Sequence, residues 1–194
     1  MKQGGRAAAT LGPAAWPRAA FGLALVVALF ISGCASVAPL APAGAGESLS
    51  GRLALRVDAN GMDPARAFSA AFDLRGSAQT GALGLSTPLG SMLAQARWTP
   101  GEVVLITPQG TRRFADLDTL TREALGESVP IEAWFDWLRG RPWADAPSLP
   151  AANGTGFEQL GWSVDLARFA DGAVLATRAA PAPAVTVRIQ LDRS

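Results

Sequence analysis

From Leu49 onward the chain is written mostly in alternation. In "LSGRLALRVD", Leu49, Leu53, Leu55 and Val57 alternate with Arg52, Arg56 and Asp58. In "AFSAAFDLRG", Phe68, Ala70, Phe72 and Leu74 alternate with Ser69, Asp73 and Arg75. Period two of this kind predicts antiparallel strands with one apolar face. Further strands are predicted over residues 82–86, 92–99, 102–107, 112–115, 156–160, 162–169, 173–178 and 185–191. The connections are short and carry turn residues: Asn60-Gly61, Pro88-Leu89-Gly90, Pro100-Gly101, Gln109-Gly110 and Asp171-Gly172. That regular spacing predicts a meandering sheet or barrel.

Two helical stretches interrupt the alternation. Leu117, Leu120, Ala124 and Leu125 share one helical face, with Asp116 as N-cap and Gly126 as the stop. Pro130 suits a first helical position, and Ile131, Trp134, Phe135 and Leu138 follow the i, i+3, i+4, i+7 rule up to Gly140. The predicted architecture is a strongly bent antiparallel sheet with two short helices against one face. Such an arrangement is either an ordinary packed α+β core or a cover over a groove for a chain-like apolar ligand. Periodicity is compatible with both.

One turn breaks the usual chemistry. Thr87-Pro88-Leu89-Gly90 lies between two predicted strands and reads as a tight hairpin connection, with Pro88 at the second position and Gly90 supplying a positive φ. Leu89 then stands at the apex, where Asn, Asp or Ser is the ordinary choice. Either it folds back over the sheet edge or it protrudes for a purpose outside the core.

The N-terminus has its own grammar. Lys2, Arg6 and Arg18 precede 15 uncharged residues from Ala19 to Gly33, ending on Cys34. A helix needs about 20 apolar residues to cross a bilayer, so this run reads as a signal-peptide h-region. "ISGC" resembles the lipobox of bacterial lipoprotein precursors, and Cys34, the single cysteine, is the expected lipidation site. The predicted organisation is a leader over residues 1–33, lipidated Cys34 with an Ala-, Pro- and Gly-rich tether over 34–47, and one domain over 48–194. The residues directly after the cysteine, Ala35 and Ser36, include no Asp, which favours an outer-membrane destination, lipid-anchored and facing the periplasm.

Composition narrows the chemistry. From Cys34 onward 14 basic residues stand against 16 acidic ones, a balance of −2 without the basic field a nucleic-acid partner needs. There is no histidine, and the only lysine is Lys2, so imidazole bases, histidine-ligated zinc and lysine nucleophiles are missing from the mature chain. No phosphate-binding glycine loop is present. Catalytic, metal and cofactor sites are therefore not expected. Arg139 and Arg141 flank the end of the second predicted helix, either complementing its C-terminus or meeting a carrier or a lipid phosphate.

The order "GRLALRV", "AFSAAFDLRG", "LGLSTPLGSMLAQARW", "TLTREALGESVPIEAWFDWLRGRPW" and "LGWSVDLARF" resembles the LolB family of outer-membrane lipoprotein receptors, from about Ser48 onward. The resemblance implies a mainly β, α+β fold: an open antiparallel half-barrel with a short helical lid over an apolar cavity. It implies a monomer that accepts lipoproteins from the periplasmic carrier LolA by binding their acyl chains, and releases them into outer-membrane lipid. Candidate cavity residues are Phe68, Phe72, Leu83, Leu85, Leu93, Trp134, Phe135 and Leu138. The matching Pro88-Leu89-Gly90 is implied to be a protruding membrane-insertion loop. The alternative is a structural lipoprotein that scaffolds an outer-membrane assembly and has no acyl-binding cavity.

Overall fold

A computed structural model describes residues 48–192. The leader, Cys34 and the tether lie outside the described residues. The strands are β1 (Ser48–Val57), β2 (Arg66–Gly76), β3 (Gly81–Ser86), β4 (Met92–Thr99), β5 (Glu102–Thr107) and β6 (Gly110–Phe114). Helices α1 (Leu117–Leu125) and α2 (Ile131–Trp137) follow. Then come β7 (Ser148–Pro150), β8 (Gly156–Gln159), β9 (Trp162–Asp165), β10 (Ala173–Arg178) and β11 (Val185–Leu191), with a 3₁₀ turn at Phe169–Asp171 between β9 and β10.

All eleven strands join one antiparallel sheet in the order β6-β5-β4-β3-β2-β1-β11-β10-β9-β8-β7. The ladder does not close, because β6 and β7 each remain an edge. The chain between those two edges is the helical segment. The two helices cover the concave face of this open half-barrel. The bent sheet with helices against one face is what the alternation and helical spacing predict, and the open half-barrel is what the family resemblance implies.

Register follows from the alternation. Leu53 faces Ala70 on β2 and Ile189 on β11, and Leu55 faces Phe68 and Val187, so the apolar sets of three strands fall on one surface. That surface packs on Leu117, Leu120, Ile131, Trp134, Phe135 and Leu138 of the helical segment in one core cluster. Arg52, Arg56 and Arg188 point the other way and are exposed.

Helix boundaries have local causes. Asp116 caps α1 by accepting the Thr119 backbone N–H at 2.7 Å. Gly126 ends it in the left-handed region at φ 81°, its N–H returning to the Arg122 carbonyl. Pro130 is the N-cap of α2 rather than its first helical residue, and the helix closes at Trp137, earlier than the spacing up to Gly140 predicts. Arg139 and Gly140 form a turn instead, with Gly140 at φ 75°.

The expected strand over 162–169 stops at Asp165. Its carboxylate accepts the backbone N–H of Ala167 at 2.8 Å, an Asx turn that bends the chain out of the ladder. The strand expected over 112–115 begins two residues earlier, at Gly110. The short edge strand β7 adds a pairing that the alternation did not predict, with Ser148 opposite Gln159 and Pro150 opposite Phe157.

Candidate functional site

The β3–β4 connection is a closed turn. The Gly90 N–H donates to the Thr87 carbonyl at 2.9 Å, and the Thr87 N–H donates to the Ser91 carbonyl at 2.8 Å. Gly90 sits at φ 85°, a conformation a leucine or valine would resist. Pro88 and Leu89 occupy the apex, and Leu89 is 96% exposed. It does not fold back over the sheet. Between Arg75 and Arg97 the chain carries no charged residue, so the tip of the hairpin can enter an apolar medium without burying an ion.

Leu93 belongs with this tip rather than with the interior. Leu85 pairs with Ala94 and Ser86 with Met92, so Leu93 is the unpaired residue of a bulge. Its side chain swings outward and is 41% exposed.

The other cavity candidates converge beneath the helices. Phe72, Leu83, Trp134, Phe135 and Leu138 are each no more than 5% exposed, and Phe68 and Leu85 pack against the same cluster half-buried. Trp98 and Phe135 meet edge to face at 6.1 Å, and Trp137 meets Phe157 in the same manner at 6.2 Å. The sheet face and helical cover are thus packed on each other, with aromatic rings at the contact.

Two buried polar side chains fasten the cover to the β8–β10 side. Gln159 accepts the Trp137 indole N–H and the Trp143 backbone N–H, both at 2.8 Å. Its amide donates to the carbonyls of Trp143 at 2.7 Å and Ala146 at 2.8 Å, so all of its hydrogen-bonding capacity is engaged. Arg178 on β10 pairs with Glu127 in the α1–α2 connection, donates to the Ser128 carbonyl at 3.3 Å and lies 5.7 Å from the Trp162 ring. Its Nε has no partner. Neither residue was anticipated from the sequence. The signal was there: each sits two positions after an apolar inward residue, Phe157 and Ala176, and breaks the apolar face.

A profile of the family described as "Outer membrane lipoprotein LolB" matches residues 48–193. The chain belongs to the LolB family. An outer-membrane lipoprotein LolB of Bordetella petrii is 35% identical, with 96% of this chain and 98% of the relative covered. That of Bordetella parapertussis is 38% identical over 81% of each chain. The Chromobacterium violaceum protein is 32% identical over 77% of this chain and 83% of its own. Membership makes the chain an outer-membrane lipoprotein with a role in lipoprotein localisation.

Within this LolB-family fold, a crevice of about 320 Å³ opens between the β2–β3 turn and α2. Phe135 lines it and also belongs to the buried cluster, so the crevice leads to the edge of the covered face. A larger hollow of about 480 Å³ lies on the outward face, where Arg52, Ala54, Ser69, Arg168 and Arg188 border it. The helices do not cover that face. Arg139 and Arg141 are engaged with α2 itself: Arg139 donates to the Phe135 carbonyl, and Arg141 meets Asp136 at 2.7 Å. That is the helix-end role expected of basic residues there.

Proposed function

We propose that this protein accepts lipoproteins from the periplasmic carrier LolA by taking their acyl chains between the concave sheet face and the helical cover, and delivers them into the outer membrane. The observation that carries the reading is Leu89, a fully presented apolar side chain on an uncharged hairpin tip. A surface turn gains nothing from leucine in water, whereas a bilayer rewards it. The acyl-binding half of the proposal draws on the apolar face formed by Phe72, Leu83, Trp134, Phe135 and Leu138, with Phe68 and Leu85 at its margin.

In this reading the structure is the closed state. An incoming acyl chain displaces the contact between α2 and the sheet, beginning at the crevice beside Phe135. Each buried CH₂ contributes roughly 0.8 kcal/mol, so a small difference in acyl burial between carrier and receptor sets the direction of transfer. No bond is made or broken, in keeping with a mature chain without histidine, lysine or a free thiol once Cys34 is lipidated.

The test is a handover experiment. The mature chain carrying Cys34→Ala is mixed with a carrier–lipoprotein complex, and the species are separated by affinity capture. The lipoprotein is expected on the Cys34→Ala protein. Retention on the carrier at equilibrium would overturn the proposal.

A further inference from the structure

We propose that the end of the sheet bearing Leu89 meets the bilayer through two further hairpin tips, Met62 between β1 and β2 and Leu160 between β8 and β9. The inference rests on the reading that Leu89 enters the membrane, and it extends that contact from one residue to a rim.

Strand directions place these tips together. β1, β3, β5, β8 and β10 all run toward one end of the sheet, as the antiparallel order and register require. The β1–β2, β3–β4 and β8–β9 connections therefore share that end. Among the described residues the exposed large hydrophobics are Met62, Leu89, Met92, Leu93, Leu149 and Leu160. Met92 and Leu93 flank the Leu89 turn, and Leu149 sits opposite Glu158, close to the Leu160 tip. The strand connections at the other end are residues 77–80, 100–101, 151–155 and 166–172, and none presents a large exposed apolar side chain, Leu166 and Phe169 of the last being half-buried against the core. Apolar exposure is confined to one end.

The turns themselves argue against accident. Asn60 and Asp63 exchange both backbone hydrogen bonds at 3.0 Å, which leaves Gly61-Met62 as a two-residue tip with Gly61 at φ 58°. Met62 is 102% exposed there. At the β8–β9 tip, Leu160 has φ 56° and Gly161 φ 77°. A two-residue turn with both residues left-handed ordinarily takes Asn-Gly, and leucine is strained in it. Leucine at this position gives up both backbone comfort and solubility.

The occupant is a lipid surface. Single apolar side chains on separate turns do not make the continuous buried centre of a protein interface, but each can enter hydrocarbon independently. The family places the domain beside a membrane. β1 enters at the opposite end, yet the 13 residues from Ala35 to Glu47 extend to about 45 Å. That exceeds the roughly 33 Å of a ten-residue strand, so the far end can fold down onto the leaflet that holds the anchor. Of the two acidic residues in the β1–β2 connection, Asp58 is held by Arg56 at 2.8 Å and Asp63 stands exposed beside Met62, where its carboxylate can stay in the headgroup layer.

The test uses the lipidated full chain in vesicles of phosphatidylethanolamine and phosphatidylglycerol containing nitroxide-labelled lipid. An environment-sensitive fluorophore is placed on Met62→Cys, Leu89→Cys, Leu160→Cys or, as the opposite-end control away from the crevice beside Phe135, Ala152→Cys. Probes at positions 62, 89 and 160 are expected to be quenched and the probe at 152 not. Quenching at 89 alone would overturn this inference and leave the Leu89 reading standing. Quenching at none of the four would overturn both. Equal quenching at all four, or protection of 62 and 160 only when a carrier–lipoprotein complex is added, would also overturn it, the latter by showing that these tips meet a protein.

Discussion

The indole N–H of Trp137 on α2 donates to the side-chain oxygen of Gln159 on β8 at 2.8 Å, inside a site from which water is excluded. The same amide holds Trp143 and Ala146, so one side chain fixes both the second helix and the segment that leaves it. Gln159→Ala strands several buried polar groups at once. Each costs about 1–3 kcal/mol when unsatisfied, so a loss of about 3 kcal/mol or more is expected in urea unfolding. A loss below about 0.5 kcal/mol would mean that Gln159 does not fasten the cover.

Arg178 and Glu127 fasten the α1–α2 connection to β10, with the arginine side chain only 8% exposed. Removing one member of such a pair leaves the other charge buried, at a cost of about 3–5 kcal/mol. Arg178→Met is therefore expected to destabilise strongly. Arg178→Met combined with Glu127→Gln should recover much of the loss, because no uncompensated charge remains. Equal destabilisation in the single and double variants, measured by thermal unfolding, would contradict this account.

The legible part of the fold is the part governed by alternation. The limits of β4, β5, β10 and β11 agree with the segments expected over 92–99, 102–107, 173–178 and 185–191. Asp116 and Gly126 announce both ends of α1 through cap chemistry. β7 is illegible because three residues containing a proline have no period, and the pairing comes from β8 rather than from local preference. At the site, Leu89 stands out as an apolar residue in a turn. The outward position of Leu93 depends on a bulge that appears only once β3 and β4 are paired. Gln159 and Arg178 interrupt an apolar face, and only the three-dimensional contacts show that the interruption is a clamp.

Glu132 gives the cover a pH dependence. Burial, helped by the nearby carboxylates of Asp118 and Asp116, raises its pKa above the usual 4.5. The folded state therefore holds this proton more tightly than the unfolded chain. The contribution of Glu132 to stability is most favourable below about 4.5 and declines as pH rises through the raised folded value. Glu132→Gln should accordingly raise the melting temperature at pH 7 and have little effect at pH 4. An equal effect at both pH values would show that ionisation of Glu132 is not the cause.

Phe72 lies in the closed contact between sheet and cover, 3% exposed. Phe72→Ala is expected to cost about 3–5 kcal/mol in the absence of lipoprotein, the usual penalty for emptying a packed aromatic site. Bound acyl chain should occupy the vacated space, so adding lipoprotein is expected to raise the melting temperature of the variant more than that of the wild type. Equal shifts would place the acyl chains elsewhere.

Leu89→Glu tests the central claim most directly. The side chain makes no core contact, so the substitution should change stability by no more than about 0.5 kcal/mol. The measurement is transfer of a lipoprotein from its carrier into liposomes, scored both for capture by this protein and for insertion into lipid. The account predicts that the Leu89→Glu protein captures lipoprotein as the wild type does and fails to insert it. Insertion by that variant at the wild-type rate would contradict the account, because Leu89 would then be only a residue of the turn.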